Sequence, residues 1–235
     1  MKKILEKVIR FIGLNFNFYR IKFNDPRSRY QREQTEKSYN YFSNYFSKSL
    51  LSTDEKVREF GIKKSLETFN KEDYFLEFGV YKGSTIKLFA SFLEKKSLKI
   101  YGFDSFIGIS EDWLGTNKMK GHYNNAGKIP KTKSNVEFVV GDIFETLPKF
   151  LKENKSNMNI KFIHIDTDTY SVCKFILESV KKSLDKNAII VFDELHNFTA
   201  WDHGEFKALK EVFSEKEFNY IAFGTKTNAA IKLNL

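Results

Sequence analysis

Carboxylates and glycines recur where short apolar runs end. The first such run closes in Leu76-Glu77-Phe78-Gly79-Val80-Tyr81-Lys82-Gly83-Ser84. Gly79 and Gly83 let the backbone turn tightly and let a ligand come close. A helix starting at Ser84 would point its N-terminus at that ligand, which favours a carboxylate or phosphate there. The pattern is E-x-G-x-x-x-G, not the G-x-G-x-x-G of a dinucleotide loop, and this argues against NAD. Glu77 suits the amino group of a zwitterionic ligand; a plain glycine turn is the alternative. The second run closes in Gly102-Phe103-Asp104-Ser105-Phe106. An acid at a second strand end suits the paired hydroxyls of a ribose, and a helix cap or loop aspartate is the other reading. Asp142, after Gly141, can accept from an adenine amino group, cap the helix starting at Ile143, or do both. Tyr81, Ser84 and Ser105 stand in the same loops and complete the candidate cofactor contacts.

Two further runs end in acids: His164-Ile165-Asp166-Thr167-Asp168-Thr169-Tyr170 and Phe192-Asp193-Glu194. Asp166 and Asp193 are 27 residues apart, one strand–helix–strand unit, so they belong on neighbouring strand tips. Carboxylates that close repel unless paired. A divalent cation is the usual remedy, and oxygen-only ligands suit Mg²⁺, Ca²⁺ or Mn²⁺. Neutralisation by lysine or arginine, or exposure to solvent, is the alternative. Asp166-Thr167-Asp168 also looks like the D-x-D of phosphatases that form an aspartyl-phosphate. That motif wants Thr or Val where Tyr170 stands, and it normally lies on the first strand of its sheet.

The elements that must carry these residues follow from periodicity. Short apolar runs at Tyr74–Phe78, Lys99–Phe103, Val136–Val140, Lys161–Ile165, Ala188–Phe192, Tyr220–Phe223 and Ala229–Leu233 read as strands. Helical stretches at Ser84–Glu94, Ile143–Lys152, Ser171–Leu184 and Gly204–Phe213 alternate with them. This predicts an α/β fold: a doubly wound, mostly parallel, seven-stranded sheet. Only the turn Gly224-Thr225-Lys226-Thr227 separates the last two strands, so an antiparallel C-terminal edge strand is expected. Residues 1–70 read as an N-terminal helical extension, an oligomer contact or active-site cover, and residues 71–235 as the main domain. Tyr30–Leu50 and Asp54–Phe69 are helix candidates, with a break at Asn24-Asp25-Pro26 and a cap in Ser52-Thr53-Asp54. Ile4, Leu5, Val8, Ile9 and Ile12 recur at helical spacing; that helix either meets a membrane surface or another subunit, or packs on its own domain.

The long polar segment from Phe106 to Asn135 lacks periodicity, and such loops in compact domains are functional or disordered. Within it, the stretch from Lys118 to Lys133 holds Lys118, Lys120, Lys128, Lys131 and Lys133 and no acid. A lid over a negatively charged acceptor and a solvated loop both fit that composition. Trp113 and Tyr123 can stack on a ring. The formal net charge of +9 is spread along the chain, and no run of five or six basic residues points to nucleic acid. The lone Cys173 excludes an internal disulfide and a Cys-based zinc site. No stretch approaches the roughly 18 apolar residues of a membrane span. Lys2 and Lys3 begin like a signal peptide, but Glu6, Lys7 and Arg10 interrupt the apolar region, so a cytoplasmic protein is expected.

Taken in order, LEFGVYKGST, YGFDSFIGISEDW, VVGDIFETLP, IHIDTDTYS and IIVFDELHNFTAWDHGEFKALKE resemble the macrocin O-methyltransferase family, a metal-dependent branch of the class I methyltransferases that acts on sugar hydroxyls. The resemblance covers roughly residues 72–215. It implies transfer of a methyl group from S-adenosylmethionine. Glu77, Gly79 and Gly83 would hold the methionyl part, Asp104 the ribose, and Asp142 would lie near the adenine. Asp166, Asp193 and Glu194 fall on the family's three metal positions, with Mg²⁺ or another divalent cation implied. The family commonly has Asp-Asp at the last pair; here it is Asp-Glu, one methylene longer. A histidine in the insert after the second strand is the family's proposed base, which here is His122; His196, two residues past Glu194, is a competitor, and Asp166 would also act in catalysis. His164 reads as a packed, hydrogen-bonded core residue. The expected acceptor is a small hydroxylated molecule, a sugar that may carry phosphate, and a homodimer is expected. A catechol-type acceptor, a non-catalytic assembly subunit and RNA methylation are the rival readings.

Overall fold

Burial of continuous apolar strands organises the chain. The computed structural model describes residues 4–13, 25–154 and 158–235; the expectations placed on Lys2, Lys3 and Asn24 lie outside them. Eight strands form one sheet: β1 (Leu50–Ser52), β2 (Asp73–Phe78), β3 (Ile100–Asp104), β4 (Val136–Val140), β5 (Asn159–Ile165), β6 (Leu184–Phe192), β7 (Phe218–Gly224) and β8 (Ala229–Leu233). Their order is β1-β7-β8-β6-β5-β2-β3-β4. Residues 4–13 form helix α1. The others are α2 (Pro26–Phe46), α3 (Asp54–Ser65), α4 (Ser84–Glu94), α5 (Ile143–Glu153), α6 (Tyr170–Val180) and α7 (Glu205–Val212).

The doubly wound α/β sheet is as expected, and helices cover both faces. Val57, Ile62, Phe89 and Leu93 from α3 and α4 build one core with Phe75, Phe162 and Val191. Phe42, Phe150, Ile176 and Leu209 from α2, α5, α6 and α7 build the other, with Phe78, Ile165 and Phe192. The antiparallel strand is β8, which pairs with both β6 and β7. The edge differs from the expected seven-stranded sheet. Leu50–Ser52, taken as the end of a helix, instead forms an eighth strand parallel to β7. The helix before it starts earlier, at Pro26, where the Asp25 carboxylate accepts the Ser28 amide at 3.1 Å, and it stops at Phe46. Thr53 caps α3 as expected, accepting from the Lys56 amide. Thus β1 belongs to the sheet, and α3 packs closely enough that a Cβ on Gly61 would sit 2.4 Å from Val191.

Register sets the chemistry. Phe78 is level with Ile165, and Ile165 with Phe192. The residues that follow, Gly79, Asp166 and Asp193, therefore leave three neighbouring strand tips together. The order of β2 relative to β3 and β5 reverses chain progression at this point, where open α/β sheets bind ligands.

Helix α2 docks through Phe42, fully buried among the rings of Trp201, Phe206, Tyr220, Phe223 and His196 at 5.4–5.7 Å. The side chains of Ile4, Leu5, Val8, Ile9 and Ile12 on α1 are exposed. Among the described residues no helix is long and apolar enough to cross a membrane.

Two stability predictions follow from this packing. Phe42→Ala removes the ring that joins α2 to the sheet and should cost about 3–5 kcal/mol in urea unfolding, the range for large core deletions; a loss below ~1 kcal/mol would show that α2 is not part of the cooperative core. His196 is buried and held neutral. Burial lowers its pKa to about 4, against the raising effect of the Asn228 carbonyl that its Nε2 meets at 3.0 Å. A histidine with a depressed folded-state pKa costs stability as pH falls from its unfolded value of ~6.5 towards 4. The buried acids, whose folded pKa values are raised, act in the opposite sense over this window, so the expectation is a difference: His196→Gln should gain thermal midpoint relative to wild type at about pH 4–5 compared with about pH 7.5.

Candidate active site

The loop after β2 is built by backbone constraints. Gly79 has φ +85°, and a Cβ there would lie 1.7 Å from the Asp166 carbonyl oxygen, so the β2 and β5 tips approach as only glycine permits. Asp104, at the tip of β3, holds the same loop from the other side. Its Oδ2 accepts the Val80 and Tyr81 amides, both at 2.7 Å, and its Oδ1 accepts the Phe106 amide at 2.7 Å. Each carboxylate oxygen keeps lone-pair capacity for a further donor. Tyr81 adopts φ +50°, a conformation that this anchoring sustains. Asp142 caps α5 by accepting the Phe144 amide at 2.9 Å, the cap reading, and it also lines the cavity.

A cavity of about 540 Å³ opens along these tips. Gly79, Tyr81, Asp104, Ser105 and Asp142 line one side; Asp166, Asp168, Asp193 and Glu194 line the other. Ile107–Ser110, Lys120, Gly121 and Tyr123 from the long insert wall it over. The insert is folded back on itself: Gly121 donates to the Ile109 carbonyl at 2.8 Å and Ile109 to the His122 carbonyl at 3.0 Å. Lys118 lies over the rings of Trp113 and Tyr123 at 4.3 and 4.4 Å. Lys133 pairs with Glu94, so of the five insert lysines Lys120 is the one on the cavity wall.

Several expected residues lie elsewhere. Glu77 is fully buried beneath the loop and absent from the cavity wall, because its side chain enters the layer between sheet and α4. There it accepts from the Thr85 hydroxyl and faces His164 Nδ1 at 3.6 Å. Gly83 and Ser84 open α4 behind the wall. His122 is exposed, its ring against Tyr123, because the turn presents the residues on either side of it inward. His196 is packed between Phe42 and Phe223 and bonded to the Asn228 carbonyl, so it presents no nitrogen to the cavity. His164 is a core residue, as expected, but not a neutral one. Burial lowers its pKa, and Asp193 and Glu77 outweigh burial and raise it to about 10.

The acids divide into two groups. Asp193 accepts from Arg58 Nε at 3.0 Å and from the same guanidinium's terminal nitrogen, and faces His164 Nε2 at 3.5 Å. Burial would raise its pKa, but His164 and Arg58 hold it well below the usual carboxylate range. Asp166, Asp168 and Glu194 each offer an oxygen within 4.8 Å of the others. Burial pushes Asp166 and Glu194 far up, and Asp193 adds to both shifts. Burial raises Asp168 to about 7 in spite of Lys118. The buried Glu205 carboxylate accepts the Glu194 amide at 2.9 Å and pins the β6 tip. Arg58 and Glu205 were not foreseen. Arg58 lies 135 residues from Asp193, and no local pattern announces it.

A family profile described as a methyltransferase domain matches residues 76–195. No curated protein matches. Among solved structures, the calicheamicin methyltransferase CalS11 aligns with a TM-score of 0.62 at 20% identity, over 92% of this chain and 90% of that one. An apo structure of CalS11, described as a TDP-rhamnose 3'-O-methyltransferase, aligns with a TM-score of 0.55 at 24% identity, over 74% of this chain and 76% of that one. The O-methyltransferase NovP aligns with a TM-score of 0.57 at 16% identity, over 77% and 79% of the two chains. At these identities the likeness is one of fold, and the profile match, which spans half the chain from the β2 loop to the tip of β6, carries the assignment: the chain belongs to the methyltransferase domain family, as an S-adenosylmethionine-dependent methyltransferase of class I.

Proposed function

We propose that this methyltransferase is a divalent-cation-dependent O-methyltransferase that acts on a sugar hydroxyl. The observation that carries the reading is the single cavity with two chemically different walls. On one wall Gly79 and Tyr81 would meet the methionyl end of S-adenosylmethionine, Asp104 and Ser105 the ribose, and Asp142 the adenine. On the other wall the oxygens of Asp166, Asp168, Asp193 and Glu194 face the same space. A divalent cation fits this wall: the donors are all oxygens, and Glu194 Oε2 is buried without a protein partner. The described similarity of the fold to CalS11, whose acceptor is a nucleotide-linked sugar, supports a sugar here, and Lys120 supplies the positive charge that a phosphorylated sugar needs.

Bound cofactor supplies an electrophilic methyl on sulfur, and a bound cation lowers the pKa of a sugar hydroxyl beside it. The chain's own groups do the rest. Tyr81, Tyr123 and the Ile107–Ser110 wall enclose the reacting groups and exclude water. Fixed alignment of oxygen, methyl carbon and sulfur can contribute up to ~7–11 kcal/mol. The oxygen–carbon bond forms as the carbon–sulfur bond breaks, and the hydroxyl proton passes to a carboxylate of the acidic wall, since no histidine of the described residues lines the cavity. The N-terminal segment supports the site from behind in this reading: α3 delivers Arg58 to Asp193, and none of its described residues lines the cavity.

The test is methyl transfer from S-adenosylmethionine to a panel of nucleotide sugars, catechols and RNA, with and without chelator. Transfer to a nucleotide sugar, lost in chelator and restored by Mg²⁺ or Mn²⁺, is the expected result. Asp166→Asn should lower kcat/KM by at least about a hundredfold while cofactor binding persists. Full activity in chelator, or transfer confined to catechols or RNA, would overturn the proposal.

A further inference from the structure

Behind the acidic wall, acids and nitrogen bases alternate, two of them fully buried and two partly exposed. Glu77, His164, Asp193 and Arg58 run in sequence, acid, base, acid, base, with His164 nitrogens 3.6 Å from Glu77 and 3.5 Å from Asp193, and Arg58 Nε 3.0 Å from Asp193. The His164 ring lies between the two carboxylates, facing Glu77 through Nδ1 and Asp193 through Nε2. One Asp193 oxygen, Oδ1, receives Arg58 and His164 together. A cation bound through Asp193 would have to displace or repel a guanidinium already seated there.

Asp166, Asp168 and Glu194 are in a different position. Their oxygens lie within 4.8 Å of one another. Asp168 and Glu194 are each 8% exposed, and Glu194 Oε2 has no hydrogen-bond partner. His164, Asp166 and Asp193 converge as closely, but there Asp193 Oδ1 is taken by the Arg58 guanidinium. Lys118, which acts on Asp168, has its ammonium committed to Tyr123 and Trp113. Asp168 holds a left-handed backbone, φ +63°, which turns its side chain into the cavity at a cost that a nearby bound group would offset. Three converging oxygens without a guanidinium form the better receptacle for a hard divalent ion.

We infer that Asp168, with Asp166 and Glu194, holds the cation, and that Asp193 instead belongs to the Arg58–His164 charge string and positions the wall without ligating. This rests on the cation-dependent reading above and departs from the ligand set that the resemblance implies, Asp166, Asp193 and Glu194. Asp168 stands in the acid-ended run from His164 to Tyr170 but outside the ligand set that the resemblance implies. Arg58 becomes a positioning residue, and the N-terminal segment thereby takes part in choosing which acids remain open to metal.

Titration of the full chain with Mn²⁺ alone, followed by the electron paramagnetic resonance of free Mn²⁺, separates the possibilities. Wild type should bind. Asp168→Asn keeps a residue tolerant of the left-handed backbone and should weaken binding at least tenfold. Asp193→Asn keeps an acceptor for Arg58 and should change binding less than threefold. Loss in Asp193→Asn equal to or greater than that in Asp168→Asn overturns the inference and leaves the cation reading intact. Absence of Mn²⁺ binding in folded wild type at millimolar ion removes the cation reading, and this inference with it. Should Asp193→Asn fail to fold, Asp193→Glu, which keeps a charge for Arg58 but moves the oxygens by a methylene, serves in its place: a change below threefold supports the inference, and a loss of tenfold or more overturns it.

Discussion

Mutual repulsion among desolvated carboxylates is the constraint to which this molecule is built. In-register strand tips deliver Asp166 and Asp193 side by side, and the residues that follow add Asp168 and Glu194 to the same wall. Behind them lie Glu77 and Glu205, both essentially inaccessible to solvent. Charges of one sign in such a space cost several kcal/mol each unless compensated. The fold compensates Glu77 and Asp193 with its own cations, His164 from the end of β5 and Arg58 from α3. In the reading proposed above, a cation from solution would balance Asp166, Asp168 and Glu194. That division explains why a histidine sits in a β-strand core beside Phe89, and why an arginine crosses from a helix that otherwise contributes apolar packing.

This division also shows what could be read from the sequence. The strand ends were legible because apolar runs stop abruptly at Phe78, Phe103, Val140, Ile165 and Phe192, and parallel strands must end on one side of the sheet. The acids that follow these runs therefore belong on one edge of the sheet. Asp142 was legible as a helix cap by its place before Ile143. What a strand buried on both faces conceals is direction. Glu77 is flanked by apolar residues on either side, so alternation does not say that it faces α4 instead of the ligand. The three residues of β1 are too few to show a period, and their pairing with β7 is set by a contact about 170 residues away. Arg58 is equally silent, since its value lies wholly in a distant partner. His196 was misread as a candidate base because sequence proximity to Glu194 says nothing of the Phe42 and Phe223 rings that enclose it.

The two walls of the cavity differ in what holds them. The wall proposed for the cofactor depends on main-chain geometry: the close approach at Gly79, the amides of Val80 and Tyr81 on Asp104, the cap at Asp142. The wall formed by the insert depends on side chains: Lys120, Tyr123 and the Ile107–Ser110 stretch, braced by Trp113 against Phe198 at 6.2 Å. Substitution there changes shape and charge without disturbing the sheet, so in the proposed reading the choice of acceptor would reside in a loop where the fold imposes least.

The N-terminal segment joins these halves mechanically. Phe42 ties α2 to the cluster that encloses His196 and Trp201, and the Ser38 hydroxyl accepts the Asn197 amide at 3.0 Å. Residues 195–201 lead directly from the acidic tip of β6, and Gly115 of the insert packs on Ala200. One continuous set of contacts therefore runs from α2 through the β6 tip to the insert, while Arg58 of α3 reaches the same tip from the opposite face of the sheet. The β6 tip is held between helices on both faces, with the Glu205 carboxylate fixing the Glu194 amide in between. A wall that must keep several carboxylates within a few ångströms of one another needs that bracing. Relaxation of the tip by an ångström would relieve the repulsion and, with it, the convergence of oxygens on which the site's chemistry rests.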